Sequence, residues 1–265
     1  MILRRLLSLV FLCCLALGTD AAPASARKPV FLYCLHFQAP GENRYPADGS
    51  YKDALDVLRR DFEVRVSDAR PDATLLAGVD VVLISNPNEK AVGTNPPPVH
   101  VGAADADALA RFVERGGGLV VLGNQEGHNL EIDDVNLLLT RFGMRFTNRY
   151  HDAKLIPVPA ATPAIGGLRW GYYTGNEVLI DTGHKARPKA WVVNDPAQPT
   201  STTKRNDTGI LLAAATPGRG RVLVATDAGW VTGNALHDIG IGGVVLRGQE
   251  NAEMFRRLAL WAAGR

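Results

Sequence analysis

The chain has 265 residues, 46% hydrophobic and 21% charged, with a formal charge of +2. The composition is globular, and the near-neutral charge with scattered basic residues gives no electrostatic footing for nucleic acid or an anionic membrane as partner. The length suits one α/β domain, expected over residues 27–265 behind a leader at 1–26.

The leader reads as a secretory signal. Arg4 and Arg5 form its positive start, residues 6–17 its apolar segment, and Ala22-Pro23-Ala24-Ser25-Ala26 its small-residue cleavage region. The apolar segment is short for a bilayer span. Cleavage predicts a periplasmic or secreted protein with no stable membrane insertion. Loss of Arg4, Arg5 and Asp20 changes the net charge from +2 to +1 and leaves Cys34 as the single cysteine. Within Val30-Phe31-Leu32-Tyr33-Cys34-Leu35 it reads as a buried structural thiol, with no partner for an intramolecular disulfide.

Residues 30–37 form the first predicted strand, followed by a polar loop over 38–50. Residues 52–60 have helical spacing, with Ala54, Leu55 and Leu58 on one face. Alternation over 62–66 predicts a strand that turns Phe62, Val64 and Val66 the same way. The Val/Leu/Ile run at 79–85 suits a strand buried on both faces of a parallel sheet. An Asn/Pro-rich loop over 86–98 precedes a helix at 103–115, stopped by Gly116-Gly117-Gly118. Next come a buried strand at 119–122, a helix at 133–142 stopped by Gly143, and a strand from Met144. Residues 148–209 read as an irregular, β-containing excursion with apolar pieces at 178–180 and 191–193. Two neighbouring strands or a hairpin follow at 210–215 and 222–225, and an amphipathic helix at 251–263 closes the chain.

This alternation predicts a doubly wound, mostly parallel α/β sheet. Ligands bind such sheets beyond the carboxyl ends of the strands. Four loops leave strand ends, at 36–50, 86–89, 124–133 and 227–230, and are expected to converge.

Several motifs stand at the strand ends: Asn86-Pro87-Asn88-Glu89-Lys90, Phe112-Val113 ahead of the glycines, and Gly123-Asn124-Gln125-Glu126-Gly127-His128-Asn129-Leu130-Glu131. Asn136, Phe142-Gly143-Met144-Arg145-Phe146, Asp227 with Trp230, and Asn251 extend the set over most of the chain beyond the leader. In these motifs the chain resembles the class I glutamine amidotransferase-like superfamily, in particular the amidotransferase-like domain appended to some unsaturated rhamnogalacturonyl hydrolases. The resemblance implies a flavodoxin-like sheet and tilts the substrate class toward carbohydrate. The catalytic barrel domain of those hydrolases has no counterpart here. Asn124-Gln125-Glu126 stands where the superfamily's nucleophilic cysteine would be, so thiolate chemistry on glutamine is not expected.

The expected ligand-binding residues are Asn86, Asn88, Asn124, Gln125, Asn129, Glu131, Asp227 and Trp230. Amides and carboxylates suit bidentate hydrogen bonds to vicinal hydroxyls, and Trp230 or Trp170 would offer a stacking face. Asn124 and Asn129 read equally as braces of their own loop, and Asp133 as the cap of the following helix. Glu126 and His128 are candidate acid and base, or solvated loop residues. His36, His128, Glu126 and Asp227 are a conceivable metal set, but their spacing is not that of a zinc site, and no cofactor or metal is predicted. The leading expectation is a secreted pseudoenzyme that binds carbohydrate or another small polar ligand, or assists polysaccharide degradation. The alternatives are a glycan hydrolase or lyase, and an interaction scaffold that engages a protein partner through residues 148–209.

Overall fold

The computed structural model describes residues 27–125, 127–147, 149–151, 154–194, 208–236, 240–241, 244–245 and 247–265. The leader read at 1–26 lies outside them, and no helix among the described residues is long and apolar enough to cross a membrane.

Five parallel strands form the main part of the sheet: β1 (Val30–Cys34), β2 (Glu63–Ser67), β3 (Val81–Ser85), β4 (Gly118–Leu122) and β11 (Arg221–Ala225). Their order is β2-β1-β3-β4-β11, the flavodoxin-like arrangement. Past β11 the sheet turns antiparallel through β10 (Gly209–Ala215), β8 (Val178–Ile180) and β5 (Met144–Phe146), and β9 (Lys189–Asn194) also pairs with β10. β10 and β11 form the hairpin that the turn at Pro217-Gly218 announces. β6 (Lys154–Pro157) and β7 (Arg169–Tyr172) make a separate two-stranded ribbon. The stretch read as an irregular excursion therefore lends β8 and β9 to the main sheet.

The apolar strands are buried on both faces, as their continuous hydrophobic runs require. Phe31, Tyr33, Leu83, Val120 and Leu223 face one core. There α1 (Lys52–Leu58) packs on α5 (Asn251–Ala262), their buried faces carrying Leu55, Leu58, Phe255 and Leu258, and the short α4 (Gly233–Leu236) touches both. Leu32, Cys34, Ile84, Val121 and Val224 face the other core, covered by α2 (Ala103–Glu114) and α3 (Asp133–Leu139). Burial pushes the Cys34 thiol up to about 11, leaving it protonated and unreactive.

Two expectations need adjusting. Val66 is 41% exposed because β2 is an edge strand, its outer face carrying the Glu63–Arg65 ion pair. The helix expected over 133–142 is α-helical only to Leu139 and tightens into a 3₁₀ turn at Thr140–Phe142 before Gly143, whose φ of 70° ends it.

At Gly118 a Cβ would sit 2.5 Å from the Ala262 carbonyl oxygen, so the start of β4 admits only glycine under the end of α5. Gly118→Ala is expected to destabilise the protein by roughly 2 kcal/mol through displacement of α5. Urea unfolding checks this, and a change within experimental error would show that α5 yields without cost.

Candidate functional site

The carboxyl ends of β1, β3, β4 and β11 release their loops at one edge, and a cleft of about 940 Å³ opens over the first three. It is lined by Glu42, Asn43 and Arg44 after β1, by 89–92 after β3 and by 127–133 after β4.

Beneath the cleft lies a hydrogen-bonded floor. Asn124, the first side chain beyond Gly123 at the exit of β4, accepts the Ala228 N–H at 2.8 Å and donates to the Tyr45 hydroxyl. Its own N–H donates to Asn86 Oδ1 at 3.0 Å. One buried amide thus ties together loops from four strands. Tyr51 donates to the Ala228 carbonyl at 2.7 Å, which leaves its hydroxyl oxygen to accept from Ser85 Oγ at 2.6 Å. The Tyr33, Tyr45 and Tyr51 rings pack in series at 5.4 Å spacings, and burial raises all three phenol pKa values.

The other predicted amides are also engaged with backbone. Asn88 Oδ1 accepts the Ala39 N–H at 2.7 Å, and its amide donates to Glu42 and to the Asn129 carbonyl. Asn129 accepts from the Lys90 N–H at 2.7 Å and donates to the Lys90 carbonyl at 2.8 Å. Asn86 donates to the His128 carbonyl. Asn86 and Asn129 have φ of 43° and 53°, left-handed conformations that asparagine tolerates better than most residues. Gln125 is buried, 3.3 Å from His128 Nε2. These residues shape the cleft; of them the partly exposed Asn129 stands in its lining, beside His128 and the predicted Glu131.

Two sequence readings change. Trp230 and Trp170 are fully buried, with ring centres 5.5 Å apart, and Trp230 also packs on Phe255; neither presents a stacking face. The cap of α3 is Glu131, not Asp133: its two carboxylate oxygens accept the Asp134 and Val135 N–H groups at 2.8 and 2.7 Å. Among the described residues, His36, His128 and Asp227 do not assemble as a ligand set. The described group with metal-ligand proximity is His100, Glu131 and Asp134. Its donors already serve one another: His100 Nδ1 lies 2.9 Å from Asp134 Oδ2, its Nε2 lies 3.0 Å from the Glu89 carbonyl, and Glu131 caps the helix. Burial opposes protonation of His100, but these acceptors outweigh it and raise its pKa. Glu126, the candidate partner of His128 in proton transfer, lies outside the described residues.

Sequence reading missed Glu42, Arg44 and Lys90. Burial disfavours the Glu42 carboxylate, but the bidentate Arg44 guanidinium and Asn88 hold it below its ordinary value. Arg44 also donates to the His128 carbonyl, joining the first loop to the third. The only sequence signal was the Glu42-x-Arg44 spacing in a polar loop. Lys90 and Glu89 stand exposed at the rim.

Asp227 lies below, buried at the end of β11. Its oxygens accept the N–H groups of Gly229 at 2.6 Å and Tyr173 at 3.3 Å, and that of Thr174. Burial raises its pKa from 3.8 to about 7 despite these donors. It therefore pins the turn after β7 to the turn after β11.

No family model matches the chain, and no curated protein matches its sequence. Among solved structures, the mmIFT52 N-terminal domain is similar at 15% identity with a TM-score of 0.66, over 88% of this chain and 97% of that one. A ThuA-like protein from Bacteroides uniformis aligns at 13% identity and TM-score 0.48, over 94% of each chain. A β-galactosidase from Bacillus circulans sp. alkalophilus aligns at 11% identity and 0.49, over 89% of this chain and 30% of that chain. The first likeness establishes a shared fold; the two looser ones add nothing to it.

Two outcomes are expected. Asn124→Ala strands the Ala228 N–H and the Tyr45 hydroxyl, and is expected to cost about 2–4 kcal/mol in urea unfolding; a loss below ~0.5 kcal/mol would mean the loops do not depend on it. Asp227, with its folded pKa raised, contributes its full stability below pH 3.8 and loses it progressively up to about pH 7. The stability of the wild type relative to Asp227→Asn should therefore fall across that window, by at most roughly 4 kcal/mol. Unfolding free energies at pH 4, 5.5 and 8 check this, and a flat difference would refute it.

Proposed function

We propose that this protein is an amidotransferase-like domain without amidotransferase chemistry, secreted by its leader, which binds a carbohydrate in the strand-end cleft. Its nearest functional setting would be polysaccharide processing, as the resemblance to the domain appended to rhamnogalacturonyl hydrolases implies. The cleft carries this reading: it is open, about 940 Å³, and lined by mixed charges and amides on a rigid hydrogen-bonded floor. Such a surface offers donors and acceptors without reorganisation, which suits a ligand rich in hydroxyl groups. The position of the superfamily's nucleophile supports binding over acyl transfer. Of Asn124-Gln125-Glu126, which stands there, Asn124 is buried and hydrogen-bonded on both sides of its amide, and the backbone of Asn124 and Gln125 is not left-handed. A nucleophile elbow needs a strained turn with an accessible side chain.

In this reading the ligand meets the exposed His128, Lys90, Glu89, Asn43 and Asp133, while Asn86, Asn88, Asn124 and Glu131 keep the loops in place. Calorimetric titration with neutral and acidic oligosaccharides should find saturable binding that weakens about tenfold, near 1.4 kcal/mol, in a Lys90→Ala, His128→Ala double variant. If no oligosaccharide binds, or affinity is unchanged in the folded variant, the proposal is wrong.

A further inference from the structure

The opposite end of the sheet carries a second, smaller cavity of about 290 Å³, unrelated to the strand-end cleft. The registers place it there. Ala215 pairs with Val222 near the start of β11, Lys189 pairs with Ala214, and α5 ends over Gly118 at the start of β4. Its wall is the partly exposed Trp261 of α5, which meets the buried Trp191 of β9 edge to face with ring centres 4.7 Å apart. The Arg221 guanidinium lies 5.0 Å from the Trp261 ring centre and donates to the Trp261 carbonyl, fixing that indole in place. Ala214, Ala215 and Pro163 complete an apolar floor, and Thr216 adds a hydroxyl.

Three observations mark this cavity as built for a ligand. Arg187 and Lys189 stand exposed at its mouth, and among the described residues neither forms an ion pair. Among the described residues no acidic side chain belongs to its lining, so there the mouth carries uncompensated positive charge. Among the described residues, four other than glycine have left-handed backbone: two lie in the strand-end loops, one lines this cavity and one adjoins its lining. Arg187 has φ 52°, and Ala164, next to Pro163, has φ 63°. Alanine and arginine gain nothing intrinsic from that conformation, and such strain gathers at binding sites.

We infer that this cavity binds a single carboxylate-bearing sugar unit, its C–H face on the tryptophan wall and its carboxylate between Arg187 and Lys189. The two indoles are edge to face and offer one wall, not two parallel planes, which suits the face of a sugar ring better than an aromatic base sandwiched between rings. The volume is at the lower limit for a small-molecule site and leaves room for one ring. Paired cations without a neighbouring acid select an anion over its neutral counterpart.

Calorimetry and tryptophan fluorescence of the full chain, titrated with galacturonate and glucuronate, with galactose and glucose, and with adenosine monophosphate, test this. The acidic sugars should saturate the site, and the neutral sugars should bind about tenfold more weakly or worse. Arg187→Gln, Lys189→Gln, two exposed changes, should weaken the acidic sugars about tenfold with an unchanged circular dichroism spectrum, and Lys90→Ala, His128→Ala in the strand-end cleft should leave that affinity as it is. The inference is overturned by no saturation, by equal affinity for acidic and neutral sugars, or by affinity unchanged in Arg187→Gln, Lys189→Gln. Tighter binding of adenosine monophosphate, or loss of sugar binding in the cleft variant, also overturns it. Because the cleft and the cavity are altered separately, failure here leaves the oligosaccharide reading of the cleft standing, and the reverse holds.

Discussion

The architecture of the strand-end site depends on one buried amide. Asn124 leaves β4 at the point where the loops from β1, β3 and β11 must cross, and it bonds to all three. A buried polar group keeps its cost low only if every donor and acceptor is met. Here each partner is itself held: Tyr45 by ring packing on Tyr51, Ala228 by the Tyr51 hydroxyl through its carbonyl, and Asn86 by the Leu122 and His128 carbonyls. The floor therefore behaves as a unit, and the cleft above it keeps one shape.

The same constraint divides the polar residues between two tasks. An asparagine whose oxygen and nitrogen are both bonded to backbone cannot also grip a ligand without releasing a loop. Asn88 and Asn129 are in that position, as is the carboxylate of Glu131 at the head of α3. Recognition is left to exposed groups at the rim, where charge pairs such as Glu89–Lys90 are held weakly and can exchange partners. Asp227 belongs to the scaffold by the same logic, although its raised pKa resembles that of a catalytic acid. Its oxygens face backbone N–H groups, which gives it the work of joining two turns.

Much of the fold was legible because hydrophobic runs report burial directly. The apolar strands read at 79–85 and 119–122, found at Val81–Ser85 and Gly118–Leu122, and the inward faces of α2 and α5, follow from the residues alone. The convergence of loops at the strand ends was legible for the same reason, since right-handed crossovers leave little choice of topology. Less visible was the edge position of β2, which exposes Val66 although its alternation matches a half-buried strand. The contribution of β8 and β9 to the main sheet was also hidden, because the apolar pieces at 178–180 and 191–193 carry no mark of the strand they pair with.

At the site itself, sequence fixed which chemical groups lie near the end of β4, and it set the absence of a thiol there. Composition and spacing cannot say where a side chain's hydrogen bonds go, because those partners come from loops forty to a hundred residues distant. Tertiary structure alone decided that Trp230 faces the core, that Glu131 rather than Asp133 caps α3, and that Arg44 and Glu42 belong to the cleft. It alone also brought Trp191 of β9 against Trp261 of α5, seventy positions apart by number, beneath a pair of uncompensated cations. Burial is written in the chain by local pattern, whereas the pairing of polar groups is settled only when distant segments meet.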